Sequence, residues 1–154
     1  MLSYSNYNIQ NTLFASFLPA LTTRAQIAKV LTAGPFSMGL LTPNPPAWHP
    51  ASPKLKDLVT GIATSDPVKS WSGGMPNIAL GFSFRRDKLG SAGMAIPNVV
   101  GFSRPREVHE CVSVWREIAG SFTDPRRKEV ENAVRGEFAK DGLLDIAWRQ
   151  GFME

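Results

Sequence analysis

The sequence predicts a mixed α/β protein in which helices alternate with the strands of a parallel sheet. The chain has 12 prolines and 13 glycines among 154 residues, more than a helical bundle would tolerate. Its 43% hydrophobic and 19% charged residues are typical of one globular domain with a core. Short apolar runs alternate with helical patterns, an order that builds either an open sheet or a closed barrel.

The first part of the chain predicts a strand, a helix, a second strand and a long loop. Residues 2–10 are rich in Tyr and Ser without a helical period, which indicates a strand that runs into a polar loop. Apolar residues at helical spacing predict a helix over residues 18–29, and residues 30–33 form a short strand. Five prolines within residues 42–53 predict an extended loop.

The middle of the chain predicts two helices and a third strand. Residues 54–63 form a short helix after the proline-rich loop. Residues 77–86 fit a helix or a strand by periodicity, and we favour a helix because the buried strand over residues 97–101 follows directly.

Two further helices complete the predicted order. Ser103 is a good N-cap for a helix with an apolar face formed by Val108, Val112, Trp115 and Ala119. Asp124 as cap and Pro125 at the first position predict a final helix, whose buried face comprises Val130, Val134 and Phe138.

Composition argues against several functional classes. The net charge of +4 is dispersed, without a basic stripe, so we expect no nucleic-acid partner. A single cysteine, Cys111, excludes an internal disulfide framework and suits a reducing compartment. The apolar residues 13–21 are too few to span a membrane and lack the basic segment of a signal peptide. We therefore expect a cytoplasmic protein without a membrane partner.

The sequence around the two histidines does not indicate a catalytic site or a metal site. Neither His49 nor His109 has an acid and a hydroxyl in a pattern typical of a triad or of metal ligation. We expect His49 to pack within its loop and His109 to be exposed, and we predict no metal ligands.

Two strand ends could approach a ligand. The run Gly101, Phe102, Ser103, Arg104 joins a strand to a helix start, where free N–H groups and the helix dipole favour an anion. The alternative is an ordinary capped helix with solvated arginines. Residues 34–39, after the second strand, could admit a flat ligand or simply end that strand. The chain has no G-x-G-x-x-G fingerprint.

Three blocks of sequence resemble the last third of the aldo-keto reductase family, in its branch of aldose dehydrogenases acting on L-galactose and D-arabinose. They are residues 2–12, residues 33–42 with 45–53, and residues 99–103 with 108–111. The W-H-P-A-S-P run of the middle block is the most specific. The resemblance implies that residues 1–154 are a partial aldo-keto reductase domain, about three βα units at the C-terminal end of an incomplete TIM (β/α)₈ barrel.

The resemblance also implies a role in holding a nicotinamide cofactor. The family's catalytic Asp, Tyr, Lys and His lie on earlier strands, so no catalytic residue is assigned here. The cofactor-binding positions that it implies are Ser3, Ala33, Gly34, Phe36, Gly39, Gly101, Phe102, Ser103, Arg104, Glu107, Glu110 and Cys111.

Several of these positions have specific implied roles. Ser3 would meet the nicotinamide amide, and Ala33 and Gly34 would lie under the nicotinamide and pyrophosphate. Gly34 replaces the family's usual Ser, and Cys111 replaces its common Asn. The carboxylate of Glu107 would repel a 2′-phosphate and so favours NAD, whereas the arginines at 104 and 106 leave NADP possible.

The resemblance therefore implies an NAD(P)-dependent oxidoreductase that oxidises a small sugar to its lactone. This chain, without the family's catalytic residues, is expected to be inactive alone. The alternative is a non-catalytic truncated barrel that binds nucleotide weakly or self-associates through exposed strand edges.

Overall fold

A computed structural model describes residues 1–87, 89, 96–120 and 124–148, and it shows a mixed α/β chain. Three parallel strands form one sheet in the order β1-β2-β3: β1 is Leu2–Tyr4, β2 is Leu31–Ala33 and β3 is Asn98–Val99. The helices are α1 Leu13–Pro19, α2 Pro53–Thr64, α3 Gly74–Arg85, α4 Pro105–Ala119 and α5 Arg126–Lys140. The prediction of alternating helices and parallel strands is confirmed.

The proline-rich loop and the two helices after it form where the sequence predicts them. Ser52 caps α2, because its Oγ accepts a hydrogen bond from the N–H of Leu55 at 3.3 Å, and Pro53 occupies the first turn. Neither a helix nor a strand interrupts residues 42–52. Helix α3 resolves the ambiguity over residues 77–86 in favour of a helix.

The first helix lies five residues earlier than predicted. Instead of residues 18–29, it covers α1 and continues into a π-helical turn over Ala20–Arg24. The side-chain oxygen of Asn11 accepts a hydrogen bond from the N–H of Leu13 at 2.9 Å, which starts the helix there. Phe14 and Leu18, four residues apart, are then buried on one face. The prediction was wrong because it took a later set of apolar residues for the buried face.

The start of α4 also differs from the prediction. Arg104 is the N-cap residue and makes no side-chain capping bond, while Pro105 begins the helix. Ser103 does not cap: its N–H donates to Oε2 of Glu107 at 2.7 Å. The acidic residue of the first turn thus satisfies the amide that precedes the helix.

The apolar face predicted for α4 is the exposed one. Cys111 and Val114 are buried against Leu80 of α3. All four residues of the predicted face are exposed to solvent: Val108, Val112, Trp115 and Ala119. Helical spacing identifies an apolar stripe but not whether a neighbouring element covers it.

The final helix begins one residue later than predicted, because Pro125 is its N-cap residue and α5 starts at Arg126. Oδ1 of Asp124 accepts a hydrogen bond from the N–H of Arg126 at 2.9 Å, at the start of α5. The predicted face is buried, and it joins the main apolar core formed with α2 and α3. No described helix is long and apolar enough to cross a membrane.

Candidate functional site

The carboxyl ends of the three parallel strands meet at one edge of the sheet. Tyr4, Ala33 and Val99 are aligned in register at this edge. The N–H of Gly34 donates to the carbonyl of Val99 at 3.3 Å, which ties the tip of β2 to β3. The loops after β2 and β3 therefore leave the sheet side by side, as the cofactor prediction requires.

Gly34 occupies a position where a side chain would be strained and crowded. Its φ is +73°, and a Cβ added there would lie 2.9 Å from Oγ of Ser5 and 3.2 Å from Cζ of Tyr4. The absence of a side chain lets both neighbouring groups approach the backbone of β2. The family's usual Ser at this position would displace them.

The loop after β2 is held in an unusual backbone conformation. Ser37, Met38 and Gly39 have φ values of 49°, 57° and 86°. Nε2 of His49 donates to the carbonyl of Ser37 at 2.8 Å, and Nε1 of Trp148 donates to Oγ of Ser37 at 3.2 Å. His49 and Trp148, which come from two distant segments of the chain, thus hold the loop that follows β2.

His49 is a loop-packing residue, as the sequence analysis expects. Its Nδ1 accepts the N–H of Ala51 at 3.0 Å, so both ring nitrogens are used. Burial lowers its pKa, an effect that the bond to Ser37 opposes and the charge of Lys56 reinforces. The distinctive W-H-P-A-S-P run therefore has a structural explanation in His49 and the α2 cap Ser52.

The segment after β3 is open to solvent. Gly101, Phe102, Ser103 and Arg104 are all exposed, and a Cβ on Gly101 would meet no atom within 4 Å. One of the N–H groups that could attract an anion, that of Ser103, is already bonded to Glu107. The segment therefore exposes its backbone and the side chain of Arg104, and the carboxylate of Glu107 lies beside the N–H of Ser103.

The predicted adenine- and ribose-side residues on α4 point in different directions. Glu110 is exposed and forms an ion pair with Arg106 at 2.7 Å. Cys111 is buried against α3, and burial raises the pKa of its thiol. Glu107 and Glu110 are thus engaged with Ser103 and Arg106, whereas Cys111 faces the core.

The side chains of Ser3 and Phe36, two other predicted positions, also do not lie on the exposed face of the sheet that carries Tyr4 and Val99. Ser3 is 7% exposed and lies in register with Thr32 and Asn98, on the face opposite Tyr4 and Val99. Phe36 is half-buried against the apolar core, while Gly39 adjoins Pro46. The structure ties Gly34 to Val99, two residues before the exposed segment 101–104, and leaves the Ser3, Phe36 and Cys111 side chains elsewhere.

Sequence reasoning missed Tyr4 and Ser5, which adjoin Gly34. The alternation of side chains in a strand places Tyr4 on the face opposite Ser3 and so could have indicated it. Ser5 has a φ of 56°, which no sequence pattern announces. In the part of the chain that the structure describes, no cluster of three or more His, Cys, Asp or Glu residues could hold a metal ion.

These features define an α/β chain whose parallel strands end at a common edge lined by glycine-containing loops, the usual ligand edge of such sheets. No protein-family model matches the chain. It is similar to L-galactose dehydrogenase of Arabidopsis thaliana, with 33% identity over 152 residues. The similarity covers 98% of this chain but only 43% of that protein, so the chain spans less than half the length of this curated relative.

Proposed function

We propose that this chain is the cofactor-holding, C-terminal part of an aldo-keto-reductase-type oxidoreductase, built on an incomplete (β/α)₈ barrel. The supporting observation is the common edge at which the three strands end, where the N–H of Gly34 donates to the carbonyl of Val99, two residues before the exposed segment 101–104. The similarity to a dehydrogenase over nearly the whole chain supports the same proposal. Three consecutive strand-and-helix units would form one arc of the barrel.

The residues at this edge fit a nicotinamide dinucleotide. Gly34 lacks a side chain, so the ring of Tyr4, which is 45% exposed, and the buried hydroxyl of Ser5 lie against its backbone at the strand ends. The chemistry that such a cofactor would supply in the complete enzyme is oxidation of an aldose such as L-galactose or D-arabinose to its lactone, with loss of a hydride from the anomeric carbon to the cofactor and of a proton from the anomeric hydroxyl. This chain would bind and orient that cofactor.

We propose NAD as the preferred cofactor, with NADP as the alternative. Glu107 adjoins the N–H of Ser103 at the start of α4, where a carboxylate repels a 2′-phosphate. Arg106 is engaged with Glu110, which leaves Arg104 as the cation for the pyrophosphate. The reduced, buried Cys111 fits a reducing compartment such as the cytoplasm.

Purified chain is expected to bind NAD⁺ weakly and to show no turnover. Calorimetric titration with NAD⁺ measures binding, and NADH absorbance with L-galactose or D-arabinose measures activity. Arg104→Ala should weaken NAD⁺ binding about three- to tenfold, because it removes a charge-assisted contact to phosphate. Arg24→Ala, which removes an exposed charge after α1, is the matched control and should leave the affinity unchanged. Steady NADH formation would contradict the proposed inactivity, and absence of any NAD⁺ binding would contradict the cofactor role.

A second candidate function is self-association, favoured by the exposed apolar stripe of α4. Val108, Val112 and Trp115 are 40%, 38% and 55% exposed. Within the described ranges, β1 and β3 each pair on one side only. Exposed strand edges and an uncovered apolar helix face both promote association, and a second copy of the chain would bury the α4 stripe.

The wild-type chain is expected to form dimers or larger assemblies in sizing chromatography with light scattering. Trp115→Glu should weaken the association at least tenfold, because a carboxylate would be placed in the apolar contact. Trp48→Glu changes an exposed tryptophan of the loop before α2 and is the control. A compact wild-type monomer at all concentrations, with one sharp thermal transition, would exclude this candidate.

A further inference from the structure

We propose that the buried carboxyl of Glu131 is a proton-sensitive switch that controls how tightly α5 is held against α3. With its proton the carboxyl closes the interface between these helices, and without the proton its charge loosens α5. The proposal does not depend on the proposed cofactor role, because none of the groups involved is among the cofactor-binding positions.

Two guanidinium groups serve three carboxyl groups in this interface. Arg85, the last residue of α3, pairs with Glu131 and, at 2.7 Å, with Asp87. Arg127 on α5 bonds both oxygens of the Glu117 carboxyl at 2.7 and 2.6 Å and lies 4.0 Å from Oε1 of Glu131. With every group ionised, the three carboxylates would outnumber the two guanidiniums. One bound proton therefore makes the cluster neutral.

Glu131 is the carboxyl that is best placed to hold this proton. Its side chain is 1% exposed, whereas water reaches the side chains of Glu117 and Asp87, which are 28% and 47% exposed. Within the described residues, Oε1 of Glu131 has no hydrogen-bond partner. Burial disfavours its charged form and raises its pKa to about 7. The charges of Arg85 and Arg127 oppose this shift, and that of Asp87 adds to it.

Arg127 is held in a geometry that keeps it from pairing fully with Glu131. A Cβ at Gly81 of α3 would collide with its Nη1, so the surface of α3 is shaped around the guanidinium. Its Nη2 donates to the side-chain oxygen of Asn77 at 2.8 Å, in addition to its bonds with Glu117. Helix α2 also packs against α5, but among the described residues it adds no charged group that acts on the Glu131 carboxyl.

The segment that follows α5 holds the loops after two strands. Nε2 of Gln10, in the loop after β1, donates to the carbonyl of Leu143 at 2.8 Å. Nε1 of Trp148 donates to Oγ of Ser37, in the loop after β2, at 3.2 Å. Loosening of α5 would weaken both bonds. The charge of Glu131 would therefore affect the loops at the carboxyl ends of β1 and β2.

The direction of the pH effect follows from the two pKa values of Glu131. Its pKa is about 7 in the folded chain, against an ordinary value of 4.5, so between these values the folded chain holds a proton that the unfolded chain has released. The stabilisation by the neutral carboxyl is fully present below pH 4.5 and is lost as the pH rises towards 7. The unfolding equilibrium constant should therefore rise on the order of a hundredfold.

Glu131→Gln tests the switch, because its amide resembles the protonated carboxyl and has no proton to lose. Urea unfolding of wild-type chain and variant is compared from pH 5 to pH 8, and their ratio cancels the opposite contribution of His49. The wild-type unfolding constant should rise about a hundredfold relative to that of Glu131→Gln. Glu129→Gln changes an exposed carboxyl two residues earlier on α5, and this matched control should follow the wild type.

Two measurements on the wild-type chain keep the test decisive if Glu131→Gln does not fold. NMR titration of ¹³C-labelled glutamate side chains, assigned through the backbone, should show the Glu131 carboxyl titrating between pH 6 and pH 8. Amide hydrogen exchange, corrected for intrinsic rates, should show α5 losing protection over the same range.

The opposite results would overturn the proposal. A Glu131 carboxyl that titrates below pH 5, or a ratio of unfolding constants that does not change with pH, would make Glu131 an ordinary ionised partner of Arg85. Unchanged protection of α5 between pH 6 and pH 8 would show that its charge does not loosen the helix. None of these measurements uses NAD⁺, so failure of the switch is distinguished from failure of the proposed cofactor role.

Discussion

Arg127→Ala is expected to lower the free energy of unfolding by about 3–5 kcal/mol, the cost of breaking a buried ion pair from one side. Arg127 has a side chain only 1% exposed. Its Nε and Nη2 donate to the two carboxylate oxygens of Glu117 at 2.7 and 2.6 Å. Its guanidinium also bonds the side-chain oxygen of Asn77 at 2.8 Å and lies 5.2 Å above the ring of Trp71.

The loss is large because Arg127 also compensates a second buried acid. Glu131 is fully buried and pairs with Arg85. Burial raises its pKa to about 7, against the opposing attraction of Arg85 and Arg127. Removing Arg127 would leave the Glu131 carboxyl with one cation fewer in a low-dielectric environment, where an unpaired charge is expensive.

Urea unfolding followed by tryptophan fluorescence measures this loss. Arg126→Ala is the matched control, because the neighbouring Arg126 has a side chain 75% exposed and pairs with Asp124 at the surface. Its loss should be much smaller than that of Arg127→Ala, because solvent screens an exposed pair. Equal losses in the two variants would contradict the structural role given to Arg127.

His49→Phe is expected to lower the free energy of unfolding by about 2–4 kcal/mol. The substitution leaves the N–H of Ala51 buried without its partner, which costs about 1–3 kcal/mol, and removes one of two hydrogen bonds to the carbonyl of Ser37, worth about 1 kcal/mol, because that carbonyl keeps the N–H of Leu40 at 3.1 Å. A phenyl ring would keep the edge contact with Trp148, whose ring centroid lies 4.8 Å from that of His49. The loss would therefore report the two hydrogen bonds rather than the packing.

The pH dependence gives an independent test of the same histidine. Burial lowers the pKa of His49 below its ordinary value of 6.5, so between these two values the unfolded chain binds a proton that the folded chain does not. The stability from neutral His49 is fully present above pH 6.5 and is lost as the pH falls towards the folded pKa. In His49→Phe the free energy of unfolding should not show this decrease below pH 6.5. His109→Gln, which changes an exposed histidine, should keep the decrease. An unchanged pH profile in His49→Phe would refute the assignment.

The positions of strands, helices and loops were largely predictable, because local chemistry decides them. Prolines and glycines punctuate the chain, Ser52 and Asp124 hold helix starts, and residues 77–86 proved helical. The first helix was misplaced because a side-chain bond from Asn11 starts it early, and such a bond has no periodic signature.

The candidate site was predictable in its location but not in its side chains. A parallel α/β order places the loops after each strand at one edge, and there Gly34 bonds to Val99. The face of the sheet on which Ser3 lies depends on how β1 pairs with β2. The approach of Ser5 to Gly34 depends on a left-handed backbone conformation at Ser5, which is held by a hydrogen bond to Ala33.

By itself the sequence determined the order of helices and parallel strands and the proline-rich loop, since turn chemistry and periodicity act within a few residues. Only the tertiary structure decided that the apolar stripe of α4 is exposed, that His49 and Trp148 clamp Ser37, and that Tyr4 and Ser5 converge on Gly34. Each of these depends on which distant segment packs against a residue, and local propensity carries no information about that partner.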